Sequence, residues 1–252
     1  MGTIKSIYRY PVKGLSAEEL PSVELRINDC IAFDRSYAIA NGHRDFDPAQ
    51  PKHMPKIKFL MLARQEILAA LETQFDDETQ TLTILRNGKQ VSKGCLKLPV
   101  GRKIIEQFFS AYMGDQLLGA PHIVSAAGHS FSDVPEKCIS IINLATVRDL
   151  GRIMDEDIHP LRFRGNIYID GIEPWAELDW VDKDILINDA QVLRCFKRTQ
   201  RCAATNVNPM TAQRDLAIPT RLARTFDHSD VGVYAMVNRN CHITQGATIQ
   251  VL

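Results

Sequence analysis

Short stretches of alternating apolar residues recur along this chain, interrupted now and then by helical periodicity in no regular strand–helix–strand order. Parallel strands joined by crossover helices would impose that order, so a mixed β-barrel is expected rather than a doubly wound sheet. The first stretch combines Ile4, Ile7 and Tyr8 with Val12 beyond Pro11, and ends in the turn Lys13-Gly14. Val23–Ile27 and Ser36–Ala40 follow as strands. Asn41–Pro55 carries three prolines, a glycine and two histidines, which marks a long surface loop placed to rim a site.

Ile67, Leu68 and Leu71 have helical spacing within Gln65–Gln74. Asn87-Gly88 supplies the positive φ angles of a type I′ turn between Thr81–Leu85 and Gln90-Val91, predicting a hairpin. Ile104, Ile105, Phe108 and Phe109 share one face of a helix over Gly101–Met113, which Gly114 ends. The domain seam is placed here, giving a smaller β-barrel-like domain over 1–112 and a second domain over 113–252. The second domain reads as strands at His122–Ala126, Ile139–Ile142, Asn166–Asp170, Ile185–Ile187, Val192–Phe196, Val231–Val237 and Thr248–Leu252. Helices are expected from Asn143 to about Met154 and from Pro219 to Phe226. The fold class is therefore mixed α+β and β-rich, with a few peripheral helices.

With 30 basic and 30 acidic residues, the chain has no overall charge to draw it towards nucleic acid or anionic membranes, and neither is expected as a partner. Any anion site must be local. Six cysteines occur without a C-x-x-C pair, which argues against a disulfide framework, a structural zinc site and an iron–sulfur cluster. Met1–Val12 enters directly into a strand pattern, without a basic stretch followed by an apolar one, and no run of 18 apolar residues occurs. A cytoplasmic protein with reduced thiols is expected.

The chemistry concentrates in Phe196–Pro209, FKRTQRCAATNVNP. Lys197, Arg198 and Arg201 precede Cys202, and Arg194 lies just upstream. A positive field favours the thiolate, which is both a nucleophile and a soft-metal ligand. A small buried hydrophobe beside surface cations remains open as the other reading. Lys13, Arg35, Arg162 and Arg164 fall at strand ends and, with Arg198 and Arg201, suggest a shared anion site. Arginine suits such a site because its planar fork binds phosphate at two points.

Other chemistries find less support. His129 with Ser130, Ser132 and Asp133 lacks a G-x-S-x-G elbow and reads as a polar loop at a pocket mouth. Seven dispersed histidines offer no H-x-x-x-H spacing, and both glycine-rich phosphate loops are missing. Trp175 and Trp180 are taken as packing anchors. Tyr234 gains interest only if its strand passes Cys202.

Taken in order, YPVKG (Tyr10–Gly14), FDRSYAI (Phe33–Ile39), FSD (Phe131–Asp133), RFRGNI (Arg162–Ile167), PWAELDW (Pro174–Trp180), RTQRCAATNVNP (Arg198–Pro209) and VGVYA (Val231–Ala235) resemble the MOSC proteins over nearly the whole chain. This family includes the C-terminal domain of molybdenum-cofactor sulfurases and the mitochondrial amidoxime-reducing component with its bacterial relatives. The resemblance implies a MOSC-type β-barrel preceded by the family's N-terminal barrel. It further implies that Cys202 ligates molybdenum, that Lys13, Arg35, Arg164, Asn166 and Arg201 hold the pterin and its phosphate, and that Tyr234 contacts the cofactor. Three departures stand out. Gly14 takes the place of a serine common in reductase members, Asn188 replaces a glycine, and Asp45–Pro55 differs from the eukaryotic pattern.

The implied function is a molybdenum-cofactor-dependent reductase of N-hydroxylated small molecules such as hydroxylamines, amidoximes and N-hydroxylated bases, with Cys202 at the catalytic metal. The chain offers neither a ferredoxin-type cysteine set nor C-x-x-C-H, and Leu252 ends it without the ferredoxin domain fused to some relatives. Electrons are therefore expected from a separate ferredoxin-like protein or flavin reductase. A monomer is expected, and pyridoxal phosphate is not. The alternative is a carrier that holds molybdenum cofactor, or sulfur as a persulfide on Cys202, without turnover.

Overall fold

The computed structural model describes all residues, Met1–Leu252. In chain order the first part contains β1 (Gly2–Arg9), β2 (Glu18–Leu20), β3 (Ser22–Leu25), β4 (Ala38–Asn41), β5 (Glu72–Asp76), β6 (Thr81–Arg86), β7 (Lys89–Cys95) and α1 (Pro99–Met113). Then come β8 (Pro121–Val124), β9 (Ile139–Asn143), α2 (Leu144–Met154), β10 (Ile167–Asp170), β11 (Asp184–Ile187), β12 (Ala190–Gln200), α3 (Ile218–Phe226), β13 (Asp230–Val237), β14 (Cys241–Thr244) and β15 (Thr248–Val251). Short 3-10 turns join several of them. No helix is long and apolar enough to cross a membrane.

Seven strands close into a barrel in the order β1, β10, β9, β13, β12, β11, β15, with β15 returning to β1 and β2 extending its far end. All of these barrel pairings are antiparallel except β9 with β10, and the parallel pair needs the crossover that α2 provides. Alternation along each strand sets what the barrel encloses. On β13, Val233, Ala235 and Val237 point inward with Ile4, Ile139, Ile141 and Cys195, while Tyr234 lies on the opposite face. Asn143 caps α2 by accepting from Ala145 N, and α2 and α3 pack outside the barrel through Leu150 and Leu222 against Ile142 and Tyr168.

The N-terminal part has a core of its own, in which α1 places Ile105 and Phe109 against Leu82, Ile84, Leu60 and Ile39. Asn87 (φ 51°) and Gly88 (φ 70°) make the expected two-residue turn between β6 and β7. A division at 112/113 is a reading of the sequence, and strand pairing crosses it in both directions. β1 completes the barrel, β3 pairs with β14, and β8 pairs with β4.

The helix expected over Gln65–Gln74 is corrected: a 3-10 turn covers Glu66–Ala70 and the chain then extends into β5. Leu68 and Leu71 are both fully buried, as helical spacing would have it. Even so, pairing with β6 and the hydrogen bond from Thr73 N to Ser16 Oγ (2.8 Å) draw the segment out, so tertiary contact overrides local period. Trp180 is a barrel anchor as expected, whereas Trp175 packs outside on Phe226 and donates to Asp149 Oδ2 at 2.8 Å.

Candidate functional site

The outward-facing wall of β9, β12 and β13 meets the N-terminal part across a cavity of about 260 Å³. β12 has eleven residues, and its register shifts at Cys195/Lys197 and again at Arg198/Gln200. Such irregularities re-aim side chains, and here they deliver the chain to Cys202 at the cavity wall. Lys13, Arg35, Arg164, Asn166, Arg201, Cys202 and Tyr234 all line this one cavity. The structure thus brings every predicted site residue together, from five separate stretches of chain.

They are held there in different ways. Arg35 (φ 53°) and Arg164 (φ 51°) both occupy the left-handed region, a conformation that non-glycine residues adopt at a cost and that clusters at functional sites. Their guanidinium carbons lie over the Tyr10 ring at 4.7 and 4.2 Å. Arg35 donates to Asp34 Oδ2 (2.5 Å) and to Arg164 O (3.0 Å). Burial works against the Arg35 charge, but Asp34, together with Tyr10, Tyr234 and Asp133, outweighs it and raises the pKa. Arg164 donates through Nη1 to Leu15 O (2.8 Å) and leaves Nε and Nη2 without a protein partner. Burial, and then the nearby Arg35, hold its pKa below the ordinary value.

Two predicted residues turn out to brace the site. Arg201 donates from Nε and Nη2 to Val231 O and from Nη1 to Phe163 O (2.8 Å), so its fork ties β13 to the turn before β10. Asn166 accepts from Ser140 N (3.0 Å) and donates to Tyr8 O (3.1 Å), locking β9 and β1 together. Of the cations flanking Cys202 in sequence, Arg198 turns to Leu178 O (2.7 Å) and Asp179 (3.2 Å). Arg162 is also committed elsewhere, to Asp215 at 2.7 Å.

The cation in hydrogen-bond contact with the sulfur is instead Lys56, whose Nζ lies 3.3 Å from Cys202 Sγ. It begins the 3-10 turn Lys56–Lys58 just past the proline-rich loop, and the isolated bridge from Phe59 to Ala40 anchors that turn. Sequence reasoning missed Lys56; the nearest signal was the rim loop ending one residue before it. Lys56 Nζ also lies 3.4 Å from Asp133 Oδ2, and Asp133 Oδ1 accepts from Lys13 Nζ at 2.5 Å. Lys13 Nζ further donates to Phe131 O (2.8 Å). Asp133, read as part of a polar loop, is therefore the link between two lysines.

The charges are coupled accordingly. Burial lowers the Lys13 pKa, with Asp133 opposing. Burial would lower Lys56 too, but Asp133 and Cys202 outweigh it and raise its pKa. Burial likewise works to raise Asp133, and the two ammonium groups overcome it and hold the carboxyl well below the usual carboxylate range. A depressed carboxylate adds stability above its ordinary pKa of about 4 and loses it as pH falls through the folded value. Asp133→Asn is thus expected to be less stable than the parent at pH 6, with the gap narrowing progressively as the pH falls below about 4; urea titrations at stepped pH measure it.

Gly14 has φ +86°, and a Cβ there would sit 2.8 Å from Leu60 O. Any residue with a side chain, serine included, would be strained at this position. Asn188 (φ 48°) takes a left-handed turn that glycine also adopts, and its Oδ1 accepts from Thr248 N at 3.0 Å.

No group of three or more His, Cys, Asp or Glu side chains converges as a metal site. Cys202 offers one soft ligand, which suits a metal that arrives with its other ligands already attached. Buried hydroxyls at Ser140 and Thr199 line the cavity without a hydrogen-bond partner. Buried polar atoms are ordinarily paired, so these two, with the spare donors of Arg164, fit a polar anionic group such as a pterin phosphate.

Fold and site together define a β-barrel protein whose cation-lined outer cavity ends on a cysteine sulfur. Residues 1–116 match the MOSC N-terminal beta barrel domain and residues 128–250 match the MOSC domain. The chain belongs to the MOSC family, related members of which bind molybdenum cofactor. Among solved structures, the YUAD protein from Bacillus subtilis shares 12% identity over 99% of this chain and 94% of that chain, with a TM-score of 0.46. YiiM from Geobacillus stearothermophilus shares 16% identity over 45% of this chain and 53% of that chain, with a TM-score of 0.35. No curated protein sequence matches the chain.

Proposed function

We propose that the chain binds molybdenum cofactor in this cavity and reduces N-hydroxylated small molecules with electrons from a separate protein. The observation that carries the reading is the placement of the Cys202 sulfur in one cavity with Lys13, Arg35, Arg164 and Tyr234. Membership of a family that includes molybdenum-associated enzymes supports it.

When bound, the cofactor supplies the two-electron redox chemistry. Cys202 holds the metal by its sulfur, while Arg164 and the unpaired hydroxyls of Ser140 and Thr199 receive the pterin and its phosphate. Arg201 and Asn166 keep the cavity wall rigid through their backbone hydrogen bonds. Reduction of R–NHOH to R–NH2 takes up two electrons and two protons and releases water. Tyr234 lines the cavity where protons are needed.

The test is to express the chain in a cofactor-competent host, measure molybdenum and pterin fluorescence, and supply benzamidoxime with dithionite-reduced viologen. Benzamidine is the expected product. Protein that retains molybdenum but yields no benzamidine would favour the cofactor-carrier role, and protein without molybdenum would refute both the reductase and the cofactor carrier, leaving the persulfide carrier. Arg164→Ala is expected to weaken cofactor retention by about 1.5–3 kcal/mol, the range for charge-assisted hydrogen bonds. Competition for released cofactor measures that loss, and loss of folding instead would make Arg164 structural.

A further inference from the structure

Eight cationic residues line the cavity against two carboxylates, Asp34 and Asp133. Arg162 and Arg198 are matched by Asp215 and Asp179, and Arg35 by Asp34. Asp133 serves Lys13 and Lys56 together, at 2.5 and 3.4 Å. Lys197, exposed at the rim, has no hydrogen-bond or ion-pair partner. Positive charge therefore remains in excess, and it is accessible around the sulfur, where Lys56 Nζ is 37% exposed in its side chain and 3.3 Å from Sγ.

We infer that the approach to Cys202 is an anion-selecting subsite built on Lys56, so that the compound reaching this centre carries a negative charge such as a carboxylate. For the identity of that compound the inference deepens the reductase reading and rests on it; the charge selection stands on the cavity alone. Cations offered at short range in a partly desolvated cleft favour anionic reactants and raise their local concentration.

The probe is a pair of alkylating reagents that differ in charge, anionic iodoacetate and neutral iodoacetamide, applied to cofactor-free protein at low salt. The ratio of their rates at one sulfur and one pH is independent of how far that thiol is ionised. Site-resolved mass spectrometry reads the ratio at Cys202, with the partly exposed Cys241 as reference. At Cys202 the ratio is expected to exceed that at Cys241 by about tenfold, equivalent to ~1.4 kcal/mol. Lys56→Met should remove the excess, Lys56→Arg should keep it, and Asp133→Asn should enlarge it. Equal ratios at the two cysteines, or a Cys202 ratio unmoved by Lys56→Met, would overturn the subsite.

A second arm separates substrate from cofactor. Cofactor-loaded protein should turn over 4-carboxybenzamidoxime about tenfold more efficiently than benzamidoxime, and Lys56→Met should abolish that preference. Equal turnover of the two would overturn the substrate assignment and give the ammonium to the cofactor phosphate. If neither compound is reduced, the reductase reading falls, and the alkylation ratio still decides the subsite.

Discussion

Alanine at position 202 is expected to lower reduction of benzamidoxime by about 100-fold or more and to strip molybdenum from the purified protein. Even changes around a metal ligand commonly cost 10 to 100-fold, and loss of the ligand itself should cost at least as much. The fold should survive. Cys202 is half-buried, its side chain contacts Lys56 Nζ, and its carbonyl, which accepts from Thr205, is unaffected by the substitution. A stability change within about 1 kcal/mol is therefore expected from thermal unfolding. Cys202→Ser separates the two roles the sulfur could have. Serine keeps size and polarity but presents a hard oxygen, so metal retention should fall as it does for alanine. Full activity in either variant would remove Cys202 from the metal and return it to the reading of a small packed side chain.

The second large effect concerns Gly232 in VGVYA. Its φ is +73°, and a Cβ there would overlap Ile141 O and approach Ile142 Cδ1 to 2.8 Å and Arg201 Nη2 to 3.2 Å. The neighbours cannot withdraw cheaply, since Ile141 O belongs to β9, which pairs with β13 at Val233. Gly232→Ala is expected to cost about 3 kcal/mol, combining left-handed strain with overpacking. In a chain of this size that lowers Tm by roughly 6–12 °C. Because Arg201 reaches Val231 O past this glycine, cofactor retention should fall as well. Gly88→Ala provides the control. Gly88 also has positive φ, +70°, yet nothing lies within 4 Å of a Cβ there, so backbone strain of about 1 kcal/mol is all that it should cost. A Tm for Gly232→Ala equal to that of Gly88→Ala would show that the close approach is not limiting.

These two variants mark different depths of legibility. Asn87-Gly88 announces its turn because the conformation is decided by the two residues themselves. The helix at Pro99–Met113 was legible for the same reason, since one apolar face and a terminal glycine are local properties. Gly232, by contrast, is required by the approach of β9, about ninety residues earlier in the chain, and no local pattern records that requirement. Gln65–Gln74 failed in the same way: its spacing was helical, but a partner strand claimed its C-terminal end from Glu72 onward.

The site divides along the same line. Sequence by itself determined that cationic residues are grouped at strand ends and beside Cys202, that no conventional metal or nucleotide motif is present, and that the ordered motifs resemble one family. All of these are properties of residue type and spacing. Tertiary structure alone decided which charges meet the sulfur. Strand irregularities and turns point Arg198 away, spend Arg201 on backbone carbonyls, and bring in Lys56 from 146 residues distant. Side-chain direction depends on register and closure of the barrel, and those are settled by pairings between strands far apart in the chain, such as β1 with β10 and β15.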